Sequence, residues 1–173
     1  SRYVGTNWTN YTVAQGLVHS SVLSLAIDDS GDETYLWIGT EDGINRATMT
    51  GSGLESFMVF TNDDTDLPSN VIQTIIIDSQ GLKWFGTDQG IALYNGSQWR
   101  TISTSSSPPL AHNNITAIGH DTTGRRYIGT LGGGVSRLHI EGFDAISAAS
   151  PYDAVWSGLD TDTIWSAIAY IVE

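Results

Sequence analysis

The sequence predicts an all-β fold of the propeller type, with roughly four four-stranded blades, and three observations predict it. First, one phrase recurs three times without a gap: LVHSSVLSLAIDDSG from Leu17, LPSNVIQTIIIDSQG from Leu67 and LAHNNITAIGHDTTG from Leu110. Second, each copy leads into a second shared phrase, LWIGTEDGI, LKWFGTDQGI or RYIGTLGGGV. The starts lie 50 and 43 residues apart, and a shortened copy, LDTDTIWSAIA, opens 49 residues later at Leu159. Third, the apolar runs are short and rich in β-branched residues, and helical periodicity is absent outside one ambiguous stretch at residues 163–172. Four short antiparallel strands in roughly 40–50 residues is the period of a propeller blade. A β-sandwich would carry no such long identical phrases, and helical solenoids lack their helices here.

The elements follow in order. An aromatic phrase, Trp8 with Tyr11, forms strand d of a preceding blade over residues 3–12. Three blades follow at about 13–60, 61–102 and 103–146, and a partial one at 159–173. In each blade strand a is the first apolar run, Val22–Ile27, Ile72–Ile77 or Ile115–Ile118. Asp-x-x-Gly then makes a tight turn at Asp28, Asp78 and Asp121, since Asp accepts from nearby backbone N–H groups and Gly takes a positive φ. Strand b is Trp37–Thr40, Trp84–Thr87 or Tyr127–Thr130. A second glycine turn, at Gly43, Gly90 and Gly133, leads to strand c at Ile44, Ile91 and Val135. Phe57 with Phe60, Trp99 with Ile102 and Phe143 with Ile146 supply strand d. Gly39, Gly86 and Gly129 are expected to let neighbouring blades approach closely, and Trp37 and Trp84 to fill the space between sheets. Blade one carries an insertion around Asp32–Tyr35, blade three an extra glycine within Leu131–Gly134, and residues 147–158 read as an atypical linker.

Charge narrows the partners. The 173 residues include 7 Lys plus Arg against 19 Asp plus Glu, for a net charge of −12. A nucleic-acid binder needs a basic stripe to displace counterions, and docking on an anionic membrane needs the same, so both are excluded as expected roles. No run of 18 apolar residues is present to insert into a bilayer. With no Cys, disulfides, thiolate metal sites and thiol nucleophiles are excluded.

The pattern L-x-x-x-x-V/I…D-x-x-G-x-W-x-G-T-x-x-G-I/V resembles the repeat of two-component regulator propellers, with LPSNVIQTIIIDSQGLKWFGTDQGI as its best copy. The resemblance covers about residues 3–170. It implies a β-propeller from the periplasmic sensor region of a bacterial hybrid histidine kinase, or from a related secreted protein, and hence a periplasmic or extracellular location. A more distant likeness to the propellers of streptogramin-inactivating lyases breaks where their Thr-Glu is replaced here by Gly-Thr, so no lyase chemistry follows.

About 3.7 blades do not make a ring, which needs four to eight, and an open arc bares two apolar inter-blade faces. The sequence is therefore expected to be a fragment of a larger propeller, or an arc closed by self-association through its open blade edges.

Ligands of propellers sit on the face made by the d–a and b–c loops. The residues expected there are His19, Glu41, Asp42, Asn70, Asp88, Gln89, His112 and Asn113, with His19 matching His112 and Asn70 matching Asn113 in the repeat. Such side chains suit a polar small molecule or oligosaccharide. Each has a plainer role too, as a cap of its own loop. No cofactor is expected. Calcium is a secondary option, because Asp28-x-Ser30-x-Asp32-Glu33 and Asn62-Asp63-Asp64-x-Asp66 alternate oxygen ligands, yet neither completes a binding loop. No nucleophile elbow, zinc-helix motif or phosphate loop occurs, so catalysis is not expected. Three functions stay open: a non-catalytic recognition or sensor segment, a structural or protein-interaction module bound to other subunits, and part of a secreted carbohydrate-active enzyme.

Overall fold

The structure, a computed structural model, describes residues 1–106, 109–121, 125–139 and 170–171. It begins with a hairpin of β1 (Arg2–Val4) and β2 (Asn7–Thr9), followed by a single 3-10 turn at Val13–Gln15. Three four-stranded antiparallel sheets follow. Blade 1 is β3 (Val22–Asp28), β4 (Tyr35–Thr40), β5 (Gly43–Met49) and β6 (Leu54–Phe60). Blade 2 is β7 (Ile72–Ile77), β8 (Lys83–Thr87), β9 (Gly90–Tyr94) and β10 (Trp99–Ile102). Blade 3 is β11 (Ile115–His120), β12 (Arg126–Thr130), β13 (Gly134–His139) and β14 (Tyr170–Ile171). Each strand pairs with the next in sequence order, so each sheet is an up-and-down meander, and the fold is a partial β-propeller.

The copies agree in detail. Strand a carries a register shift at the same place in every blade, between Val22 and Ser24, Ile72 and Thr74, and Ile115 and Ala117. The Gly-Thr pair after each aromatic closes the b–c turn. Thr40 and Thr87 are buried and donate their hydroxyls to the carbonyls of Gly43 (2.9 Å) and Gly90 (2.8 Å). In blade 3 the partner of Thr130 is Gly134 at 3.0 Å. Gly134, and not the expected Gly133, therefore holds the repeat position; the extra glycine moves the left-handed residue one place on, to φ 76°.

The Asp-x-x-Gly turn forms as expected in blade 2, where the Gly81 N–H donates to the Asp78 carbonyl at 2.9 Å and Gly81 has φ 79°. In blade 1 the insertion lengthens the loop, and Asp28 instead accepts from the backbone and hydroxyl of Ser30. The Gly124 end of the third turn lies outside the described residues. So do Phe143–Ile146, the linker 147–158 and the copy at Leu159. The sequence reading places residues 170–171 in the fourth, partial blade; in the structure they pair with β13 as the outer strand of blade 3.

Two apolar cores lie between blades. Trp37, Ile44 and Phe60 of blade 1 meet Ile72, Ile75, Phe85 and Tyr94 of blade 2. Trp84, Ile91 and Ile102 of blade 2 meet Ile115, Ile118 and Ile128 of blade 3. Trp37 sits 5.5 Å from Phe85 and 5.6 Å from Phe60 between ring centroids, and Tyr94 stacks on Trp99 at 4.4 Å. The glycine expectation holds at two positions. A Cβ on Gly39 would lie 2.7 Å from Ile72 Cγ2, and one on Gly86 would lie 2.7 Å from Ile115 Cγ2, each atom belonging to the next blade. At Gly129 a Cβ would meet only its own sheet, at 3.5 Å or more.

Candidate loop-face site

In an up-and-down blade the d–a loop and the b–c turn fall at the same end, so the eight expected site residues share one end of the sheets. Hydrogen bonds fasten these segments together. Glu41 N–H donates to the Ser21 carbonyl (3.2 Å), Gly43 N–H to the Asn70 carbonyl (2.7 Å) and Leu131 N–H to the Asn114 carbonyl (2.8 Å).

Four of the eight expected side chains use one atom to hold their loop. His19 Nδ1 accepts from the Ser21 N–H at 3.1 Å, and His112 Nδ1 accepts from the Asn114 N–H at 3.0 Å. The same position in blade 2 is Ser69, whose hydroxyl accepts from the Val71 N–H at 3.1 Å. Asn70 Oδ1 accepts from the Asn62 N–H at 2.8 Å, and Asn113 Oδ1 from the Thr104 N–H at 2.7 Å. These are side-chain-capped turns, the plainer of the two sequence readings.

Two pairs are brought together across segments. His19 Nδ1 lies 4.0 Å from a Glu41 carboxylate oxygen, and Asn70 Nδ2 donates to Asp42 Oδ1 at 3.3 Å. His112 rests against the blade 3 turn, where a Cβ on Gly133 would come within 2.8 Å of the His112 Cβ. Gln89 is exposed and joins its turn through the backbone, its N–H donating to Thr87 Oγ1 at 3.0 Å. Asp88 differs from its counterpart Glu41, which lies beside His19: its Oδ1 is shielded from solvent and has no hydrogen-bond partner. No hydrogen bond or ion pair joins Asp88 or Gln89 to His112 or Asn113 among the described residues.

Among the described residues no group of three or more His, Asp or Glu is arranged to hold a metal ion. Asp28, first of the run weighed for calcium, is instead buried against Lys83, with Oδ2 at 2.7 Å from Nζ, and accepts from the Ser30 hydroxyl at 2.6 Å. Burial pushes this carboxyl up, but the hydrogen bonds from Lys83 and Ser30 and the Lys83 charge outweigh it, and the net shift is below the ordinary value of 3.8. The second acidic run, Asp63–Asp66, borders an open cleft of about 960 Å³, walled on its other side by Gln98, Trp99 and Arg100. The sequence marked the acids but not this wall, which comes from the start of an outer strand 32 or more residues away.

Sequence reading also missed Asn45, which is fully buried in β5. It accepts from the Val18 N–H at 2.8 Å and donates to the Gly16 carbonyl at 3.1 Å, pinning the first d–a loop. Ala92 and Ser136 stand in its place in the other blades, so the repeat carried no signal.

No protein-family model matches the chain, and no curated protein matches it in sequence. Solved structures do match. One is the extracellular domain of a protein assigned as the hybrid two-component system BT3049 of B. thetaiotaomicron: TM-score 0.64, 23% identity, covering 76% of this chain and 19% of that one. The chain shares its fold with part of that domain. A second is the extracellular domain of BT4673 from the same organism, assigned as a one-component system, with TM-score 0.55, 22% identity, and coverage of 80% of this chain and 17% of that one. Another structure of the BT4673 domain gives TM-score 0.56 at 22% identity over 68% and 15%. The chain thus spans less than a fifth of the length of the domains it matches. They come from the kind of signalling protein that the repeat resembles. No helix among the described residues is long and apolar enough to cross a membrane.

Proposed function

We propose that the chain is an extracytoplasmic recognition segment of a sensor-type β-propeller, and that it binds a carbohydrate-like polar ligand on its loop face without chemical turnover. The observation that carries this reading is Asp88 Oδ1, an acceptor held at the loop end, away from water and without a donor. A buried acceptor left unpaired costs roughly 1–3 kcal/mol, and a turn of the half-buried Asp88 carboxylate brings it to a ligand hydroxyl that supplies the missing donor. Around it the loop residues are fixed by their own backbone bonds, which limits the ordering cost of binding. The extracytoplasmic setting and sensor role are supported by the repeat resemblance and by the named setting of the matched structures.

The test is calorimetric titration of the whole chain with a panel of neutral oligosaccharides. The expected result is saturable binding by at least one member, weakened about tenfold or more by Asp88→Ala with the circular dichroism spectrum unchanged. No saturable binding by the folded protein, or binding that Asp88→Ala leaves untouched, refutes the reading. One observation favours a second reading, a structural module bound to other subunits: apolar side chains stand exposed on both outer faces of the arc.

A further inference from the structure

The outer strand of blade 2, β10, leaves half of its backbone unpaired. The Asn95 N–H donates to the Gln98 carbonyl at 3.3 Å, so that facing pair is a bonded one. Bonded and unbonded pairs alternate along an antiparallel ladder. Leu93 with Arg100 and Ile91 with Ile102 are therefore bonded, while Trp99 and Thr101 turn their N–H and C=O groups away from β9. No strand pairs with that edge among the described residues. The outer strand of blade 1 is different. The register shifts between Arg46 and Thr48, β6 carries one extra residue there, and Ser56 takes a left-handed φ of 52°. Such a bulge bends an edge away from a straight partner. β10 has no register shift against its neighbour, and its sequence WRTI holds no proline.

The β10 edge borders the 960 Å³ cleft, opposite Asp63, Asp64 and Asp66. The Thr101 hydroxyl fixes this acidic loop to the strand by donating to the Asp66 carbonyl at 2.5 Å. Side chains alternate across a strand, so Trp99 and Thr101 share the face towards blade 1, where Trp99 lies 5.6 Å from Phe60, and Arg100 takes the other face. Three exposed carboxylates against one guanidinium give the cleft a negative potential. None of the eight loop-face residues lines it, so its occupant is separate from the ligand proposed for them.

We propose that this cleft takes an extended basic segment of a partner protein, added antiparallel to β10 as a fifth strand of blade 2. The open ladder supplies main-chain hydrogen bonds, and the acids select the sequence. Facing residues of an antiparallel pair share a face, so the residues bonded to Trp99 and Thr101 point their side chains towards the acidic loop. Lys or Arg at those alternate positions meets Asp63, Asp64 and Asp66, and the half-buried Trp99 ring borders the same space as a further cation contact. An acidic segment meets like charge and is rejected.

The probe is the end-blocked synthetic peptide TKVKVKT, titrated into the whole chain at low salt and followed by calorimetry and by amide hydrogen exchange. The expected result is saturable binding that slows exchange at the Trp99 and Thr101 amides at least about tenfold. Methylating the backbone nitrogens of the lysines should weaken binding at least about tenfold, and methylating those of the valines should not, because only the lysine N–H groups face β10. Glutamate in place of lysine in the peptide, or Asp63→Asn, Asp64→Asn and Asp66→Asn together in the chain, should weaken it by about the same factor or more. The three aspartates are exposed and asparagine keeps their size, so the variant is expected to fold, which an unchanged circular dichroism spectrum checks. Binding that leaves the Trp99 and Thr101 amides unprotected is charge attraction without strand addition and overturns the proposal. Equal losses from lysine and valine methylation overturn it as well, and so does the absence of saturable binding.

Discussion

Gly86→Ala tests the inter-blade packing most directly. Gly86 does not occupy the left-handed region, so alanine meets no backbone penalty and the effect is steric. The new Cβ lies 2.5 Å from Thr74 Cγ2, 2.7 Å from Ile115 Cγ2 and 3.2 Å from Ile115 Cβ. Ordinary carbon contacts are near 3.5–4.0 Å, so the two sheets must part by about 1 Å at this point. Ile115 is fully buried, and its branched side chain has little rotamer freedom with which to retreat. Overpacking of this kind costs about 1–3 kcal/mol, against which the stiffer unfolded chain returns about 0.4–1 kcal/mol. The net expectation is a loss of about 1–2 kcal/mol. Gly129→Ala is the internal control, since its Cβ meets Thr116 Oγ1 at 3.5 Å and Ala117 Cβ at 3.6 Å. That is ordinary contact, so only the unfolded-state gain applies. Urea unfolding read by tryptophan fluorescence, with a slope of about 1–3 kcal/mol per molar, should place the two midpoints about 1 M apart, Gly86→Ala lower. Equal midpoints, or a higher one for Gly86→Ala, refute the claim that glycine is there to admit the next blade.

Replacing Lys83 by Met keeps an aliphatic stem but leaves Asp28 buried without its cation; a loss of about 3 kcal/mol at neutral pH is expected from calorimetry, and the Asp28→Leu, Lys83→Met double variant should recover most of it. Asp28 also sets an acid limit. Its folded value lies below 3.8, so the stability it contributes is complete above that ordinary value and is lost as pH falls through the lower folded value. Denaturant titrations across pH 2–5 should therefore show a weaker pH dependence in Asp28→Asn than in the unsubstituted chain, and identical slopes in the two would contradict this.

How much was legible in the sequence follows from what repetition can reveal. Trp37 with Trp84, and Gly39 with Gly86, recur at the same place in neighbouring copies. Their shared environment was readable, and both pairs lie between blades. The buried ion pairs between blades, Lys83 with Asp28 and Arg126 with Asp78, were not readable, because the cation position holds Leu36, Lys83 and Arg126 in turn and the partners are far apart in sequence, 48 residues for Arg126 and Asp78. Gly133 was misplaced for a related reason. Three consecutive glycines offer no side chain to anchor the register, and only the Thr130 hydrogen bond to Gly134 settles it. At the loop face the equivalence of His19 and His112 was legible and holds in their matching Nδ1 bonds. Asp88 and Glu41 match in sequence as well, yet Glu41 lies 4.0 Å from His19 Nδ1 while Asp88 Oδ1 has no hydrogen-bond partner, and that difference is settled by loop geometry.

The loop face and the inter-blade faces answer to different constraints. Between blades the chain favours glycine at Gly39 and Gly86, because atoms of the next sheet stand close enough that a Cβ forces them to shift. On the loop face the second residue after the repeat leucine is His19, Ser69 or His112, and all three cap the N–H two residues on. The fold asks only for an acceptor at that position. An imidazole and a hydroxyl both meet the demand, and they present different groups to anything bound above them. The side chain can therefore change at such positions while the cap and its loop are kept, whereas a change between blades acts first on stability.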